Sequence, residues 1–92
     1  MRFEWDEEKA ASNLRKHGVS FETAKLVFLD RLARIVPDDG EFGEERWVII
    51  GDVDGVILKV VFTEREFEGE THVRIITARR VTRHERLELE RR

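Results

Sequence analysis

The sequence predicts an α+β fold in a single domain over residues 1–92, a small antiparallel sheet of about four strands with an N-terminal helical hairpin on one face and a C-terminal helix. Two observations predict it. Apolar residues recur at helical spacing between residues 7 and 29, and from residue 46 to 79 the chain turns to β-rich runs joined by short glycine-containing turns, the pattern of neighbouring antiparallel strands. A chain of 92 residues has room for one hydrophobic core.

Phe3, Glu4 and Trp5 form a short alternating stretch, and Asp6 follows as an N-cap because its carboxylate accepts from first-turn N–H groups. The first helix is expected over 7–17, with Ala10, Ala11 and Leu14 at helical spacing and Gly18 closing it in the left-handed region. Ser20 caps a second helix over 21–29, in which Phe21, Ala24, Lys25 and Phe28 share a side. "ARIVP" (33–37) reads as a strand stopped by the single proline, and "DDGEFGEE" (38–45) as an exposed loop. "RWVIIGDV" (46–53) and "GVILKVVFTER" (55–65) pair through the Asp-Gly turn of "DVDG", and "HVRIITAR" (72–79) returns after "EFEGET". Thr82 and Glu85 have the spacing of a capping box for a helix over 83–91. Its thin apolar content, Leu87 and Leu89, predicts weak docking or docking on another chain.

Hydrophobic and charged residues each make up 40% of the chain, the balance of a folded, highly charged domain. The absence of cysteine excludes disulfides, thiolate zinc sites and cysteine nucleophiles. His17, His72 and His84 are scattered without paired-ligand spacing, so no metal or other cofactor is expected. No apolar run approaches the roughly 20 residues of a membrane span, and the N-terminus lacks a secretory signal, so a cytoplasmic protein without membrane contact is expected. The net charge of −3 argues against a general polyanion binder. The charge is uneven, however: residues 71–92 hold seven arginines against three glutamates, while 37–45 is acidic.

Period-2 geometry sets Val56, Leu58, Val60 and Phe62 on one face and Ile57, Lys59, Val61, Thr63 and Arg65 on the other. On the last strand, strict alternation groups Val73, Ile75, Thr77 and Arg79. Both strands thus carry a threonine two residues before an arginine. An arginine fork answers the charge that develops on a phosphate during cleavage, and in RNA the 2′-hydroxyl supplies the nucleophile, so no metal is needed. With neither cysteine nor tyrosine, proton transfer falls to His, Lys, Glu or Asp. The same arginines also suit a purely structural role, paired with Glu64, Glu66 or Glu85. His17 suits a helix C-terminus, where the dipole favours it, and His72 and His84 read as exposed. Arg80, on the face opposite Arg79, is expected to pair with Glu85 or to meet a partner. "NLRKHGVSFETAK" (13–25) has the outline of a helix-turn-helix, but its second helix opens with Phe21, Glu22 and Thr23 and has only Lys25 as a basic residue.

The segments "FEWDEEKAASNLRKHGVSFETAKLVF" (3–28), "GEERWVIIG" (43–51), "VVFTER" (60–65) and "RIITARRVTRHER" (74–86) resemble, in order, the BrnT family of type II toxin-antitoxin toxins. The resemblance implies a RelE-like ribonuclease that cleaves RNA without a metal and stops translation. It also implies a BrnA-like antitoxin that neutralises the toxin and carries the DNA-binding part, so that operator DNA is bound only through the complex. Carried onto this sequence, it implies that Arg65 and Arg79 hold the scissile phosphate, Lys9 adds charge, and His17 or Glu64 transfers protons. Thr63, Thr77, Asn13 and Lys59 are the implied RNA contacts, and Arg80 and Arg83 the implied antitoxin contacts. Two departures stand out: Phe62 where the family often has tyrosine, and "EFEGETH" (66–72), a longer hairpin than the family suggests. The alternative is a non-catalytic nucleic-acid-binding or transcription-regulating module of the same fold.

Overall fold

A computed structural model describes residues 1–38 and 45–91. The elements run β1 (Arg2–Glu4), α1 (Glu7–His17), α2 (Phe21–Ala24), a 3₁₀ turn (Lys25–Leu29), β2 (Arg34–Pro37), β3 (Trp47–Val53), β4 (Val56–Phe67), β5 (Glu70–Arg80) and α3 (Arg83–Glu90). The sheet has five strands rather than four, in the order β1-β5-β4-β3-β2. The addition is the short stretch Arg2–Glu4, which pairs with β5 in parallel; the other pairs are antiparallel.

Asp6 caps α1 by accepting from the N–H groups of Glu8 and Lys9, and Gly18 ends it at φ 69 with its N–H donating to the Leu14 carbonyl. The continuous second helix expected over 21–29 is replaced by a single α turn that tightens into 3₁₀ winding. That winding buries Val27 and brings Phe28 edge-on to Phe3 and Phe62, both with ring centroids 5.0 Å away. The turn lies close on β3 at Gly51, where a Cβ would stand 2.9 Å from Asp30 Oδ2 and 3.0 Å from Val27 Cγ1. With Phe21 and Ala24 buried and α2 only four residues long, the helix-turn-helix outline has no recognition helix.

α1, α2 and the 3₁₀ turn cover one face of the sheet. The core lies there, with Phe21, Ala24 and Val27 against Ile49, Leu58, Val60, Phe62, Val73, Ile75 and Ala78. Alternation along β5 does not stay strict. Val61 pairs with Thr77 but Phe62 pairs with Ile75, so Ile76 is an extra residue, a β-bulge that reverses which residues point inward. Val73 and Ile75 therefore face the core together with Ala78, and the expected grouping of Val73 and Ile75 with Thr77 and Arg79 is broken.

The β4–β5 hairpin extends beyond the expected strand ends to a turn at Glu68 (φ 52) and Gly69 (φ 77), two left-handed residues whose twist matches the flanking strands. Thr82 and Glu85 form the expected capping box of α3. This helix lies over the other face of the sheet, where Leu89 lines a hollow with Ile50 and Ile57. The loop expected over 38–45 falls, at 39–44, outside the described residues. Among the described residues no helix is long and apolar enough to cross a membrane.

Candidate functional site

The face of the sheet turned away from the core divides into two ends. At the free end, the register sets Thr63 opposite Arg74 and Arg65 opposite His72, four side chains in one block on two paired strands. The bulge is what brings Arg74 there: it puts Arg74, Thr77 and Arg79 on the same face although their spacing breaks period 2. β1 adds Arg2 beside His72 and Glu4 beside Arg74. Glu4 reaches across β5 to Arg65, with Oε1 3.7 Å from Nη2, and Arg2 Nε lies 3.9 Å from Glu70 Oε1. The Arg65 guanidinium lies over the Phe67 ring, 5.6 Å from its centroid, and the His72 ring meets Phe67 edge-on at 5.9 Å. Arg65 and Arg74 are exposed, while His72 and Thr63 are half-buried.

The other end lies under α3. Lys59 pairs with Arg79 across the strands, and both side chains converge on Glu85. Arg79 donates from Nη1 to Oε1 at 2.7 Å and from Nη2 to Oε2 at 2.9 Å, a bidentate fork, and Lys59 Nζ lies 3.4 Å from Oε2. Glu85 also accepts from the Thr82 N–H, as its place in the capping box requires. The Arg79 fork above all holds the Glu85 carboxyl far below its ordinary 4.5, and Glu85 in turn raises Arg79. The partner expected for Arg80 thus belongs to Arg79.

This cluster carries a testable stability. A carboxylate depressed in the folded state contributes stability that is complete above its unfolded value and lost as the pH falls through the folded one. Glu85→Gln is expected to cost about 1–2 kcal/mol at pH 7, the worth of hydrogen bonds to a charged group. In thermal melts, the gap between the parent and Glu85→Gln should narrow steadily below about pH 4.5.

Arg65 and Arg79 do not come together. Lys59 marks Arg79's place on β4, six residues from Arg65, which at the rise of a strand is roughly 20 Å. One phosphate cannot take both forks. Thr77, exposed and opposite Val61, lies between the two ends.

Lys9 and His17 are exposed on α1, in the layer that covers the core face, and Glu64 points to that same side from β4. None of the three shares a face with Arg65. Asn13 is buried, with 6% of its surface exposed and its amide fully engaged: Nδ2 donates to the Val19 and Ala78 carbonyls and Oδ1 accepts from the Ala78 N–H. The RNA contact expected of Asn13 is therefore replaced by a tie between α1 and β5. Arg80 and Arg83 are exposed and line a hollow with Val56, Ile57 and Arg86 near the β3–β4 turn.

Residues 5–85 match the family model described as the ribonuclease toxin, BrnT, of type II toxin-antitoxin systems. The chain belongs to the BrnT family. The family is one of ribonuclease toxins, and a type II toxin has an antitoxin as its partner. Comparison with curated proteins returned no match.

Within this BrnT-family chain, sequence reasoning passed over Arg74, Glu4 and His72. Arg74 was hidden by the bulge, whose trace in the sequence is the adjacent pair Ile75–Ile76 followed by the small Ala78. Glu4 and His72 carried no signal, because their nearness to Arg65 depends on the parallel β1–β5 pairing and on the β4–β5 register.

Proposed function

We propose that this chain is a metal-independent endoribonuclease toxin that halts translation in the cytoplasm by cleaving RNA, and that a BrnA-like antitoxin neutralises it. The observation that carries this reading is the block of Thr63, Arg65 and Arg74 on the free end of an open sheet face, in a chain of a ribonuclease toxin family. Two exposed guanidinium groups on adjacent strands present fixed positive charge where the phosphate oxygens gain negative charge, and the Thr63 hydroxyl adds a neutral donor. The attacking group is the substrate's own 2′-hydroxyl, so the protein need only orient the phosphodiester, stabilise charge and move protons. Thr77, exposed between the two ends, continues the open face along which the RNA backbone runs away from the cut.

The antitoxin contact is assigned to Arg80 and Arg83, joined by Arg86. Three arginines around a hollow with Val56 and Ile57 suit an acidic segment bearing apolar anchors, and charge complementarity speeds such an association. Operator DNA is then bound through the antitoxin, because the chain has no recognition helix of its own among the described residues.

Purified protein incubated with single-stranded RNA in EDTA should cut it and leave DNA of the same sequence whole. Intact RNA beside a protein with a cooperative melt would contradict the reading.

A further inference from the structure

Building on the ribonuclease reading, we propose that Glu4 and His72 are its proton-transfer pair, acting on a phosphodiester held between Arg65 and Arg74. The geometry comes from three strands. Glu4 on β1 stands beside Arg74 on β5, and its carboxylate reaches Arg65 on β4, whose cross-strand partner is His72. The line from Glu4 to Arg65 therefore crosses β5 between His72 and Arg74. A carboxylate, an imidazole and two guanidinium groups surround one patch of open sheet.

Each group has a reason for its role. Glu4 sets a carboxylate oxygen 3.7 Å from Nη2 of Arg65, beside the place of the phosphate whose 2′-hydroxyl it serves. Arg65 is 60% exposed, and among the described residues it meets the Phe67 ring and this one distant carboxylate, so most of its donors remain for phosphate oxygens. His72 is held by the edge of Phe67, and both arginines flanking it have carboxylate partners, Arg65 with Glu4 and Arg2 with Glu70. His72 stands across from Arg65 and two residues from Arg74 on the same face, so its ring reaches a phosphodiester held between them.

In the cleavage step Glu4 takes the proton of the 2′-hydroxyl as the 2′-oxygen bonds to phosphorus. Arg65 and Arg74 stabilise the added charge on the non-bridging oxygens, the bond from phosphorus to the 5′-oxygen breaks, and His72 gives its proton to that leaving oxygen. The products are a 2′,3′-cyclic phosphate and a 5′-hydroxyl. Exchange with water returns a proton to His72 and removes one from Glu4.

The groups facing this pair are Arg2 from β1, Arg65 from β4, and Glu70 and Arg74 from β5. General acid–base catalysis by this pair predicts a bell-shaped pH dependence of the parent's rate. Glu4→Gln and His72→Gln should each lower kcat by about 100-fold or more, with KM within a few-fold of the parent. Each should also flatten its own limb of the pH profile. An RNA with sulfur in place of the scissile 5′-oxygen needs no acid, because a thiolate leaves unprotonated. On it His72→Gln should recover to within about 10-fold of the parent, and Glu4→Gln should not. His84→Gln on α3 serves as the control. If Glu4→Gln melts below the assay temperature, the sulfur substrate with His72→Gln decides alone. Near-parental cleavage by both variants, alongside an inactive Arg65→Ala, would overturn the pair and leave the ribonuclease reading standing. A parent that cuts no RNA would overturn both.

Discussion

Asn13→Leu is expected to destabilise the protein by about 3 kcal/mol. Three hydrogen bonds end on this one buried amide, at 2.9 Å to the Val19 carbonyl and at 2.7 and 3.1 Å to the carbonyl and N–H of Ala78. Leucine has nearly the same shape and none of the donors or acceptors, so it strands backbone groups in the interior at about 1 kcal/mol apiece. The site is consequential for a second reason. Ala78 lies two residues past the extra residue of β5, where the strand has just changed which side faces the core, and Asn13 holds α1 against it there. For a domain of this size the loss corresponds to a fall of about 10–20 °C in Tm. Urea unfolding of the variant beside the parent measures it. A change below 1 kcal/mol, or a loss of RNA binding at unchanged stability, would return Asn13 to the role of an RNA contact.

Arg65→Ala is expected to lower RNA cleavage by about 100-fold or more, the usual cost of removing a donor aimed at developing charge. Arg74→Ala should do nearly as much, since the two guanidinium groups address the same phosphate from adjacent strands. Neither should move Tm by more than a few degrees. Both side chains are exposed, and a surface ion pair such as that of Arg65 with Glu4 is worth under about 1 kcal/mol. Initial rates on a labelled RNA in EDTA, set beside the melting curves, separate lost catalysis from lost fold.

Much of the fold was legible because its signals are local. The caps at Asp6, Ser20 and Thr82, the left-handed Gly18 and the alternation along β4 all act within a few residues, and the structure realises each of them. Three features were not legible, each for a physical reason. The strand Arg2–Glu4 is readable as a strand, but its place in the sheet is not, because three residues gain that place only by pairing with β5, seventy residues away. The second helix winds as 3₁₀ because Val27 and Phe28 must reach a sheet that Gly51 lets come close, a tertiary demand that overrides helical spacing. The extra residue at Ile76 shifts the register by one, and one residue is enough to exchange the faces of everything beyond it.

Along β4, Lys59, Thr63 and Arg65 share one face as strand alternation implied, and Thr77 and Arg79 of β5 lie on that same open face. What the sequence could not give is distance. Two similar Thr-x-Arg stretches on antiparallel strands run in opposite directions, so Arg65 and Arg79 diverge toward opposite ends of the sheet. Arg79 meets Glu85 and secures α3; Arg65 meets Arg74, Glu4 and His72. The long hairpin that departs from the family's expected compact turn carries Phe67 and His72 and so lengthens the free end of the face.

Side-by-side cleavage rates and melting temperatures of Arg65→Ala and Arg79→Ala test most directly the claim that cutting occurs at the free end of the sheet. Cutting at the free end means that Arg65→Ala loses cleavage by about 100-fold or more and keeps its Tm, while Arg79→Ala melts several degrees lower and still cuts within a few-fold of the parent. An Arg79→Ala protein that melts like the parent but cannot cut, beside an active Arg65→Ala, would contradict it.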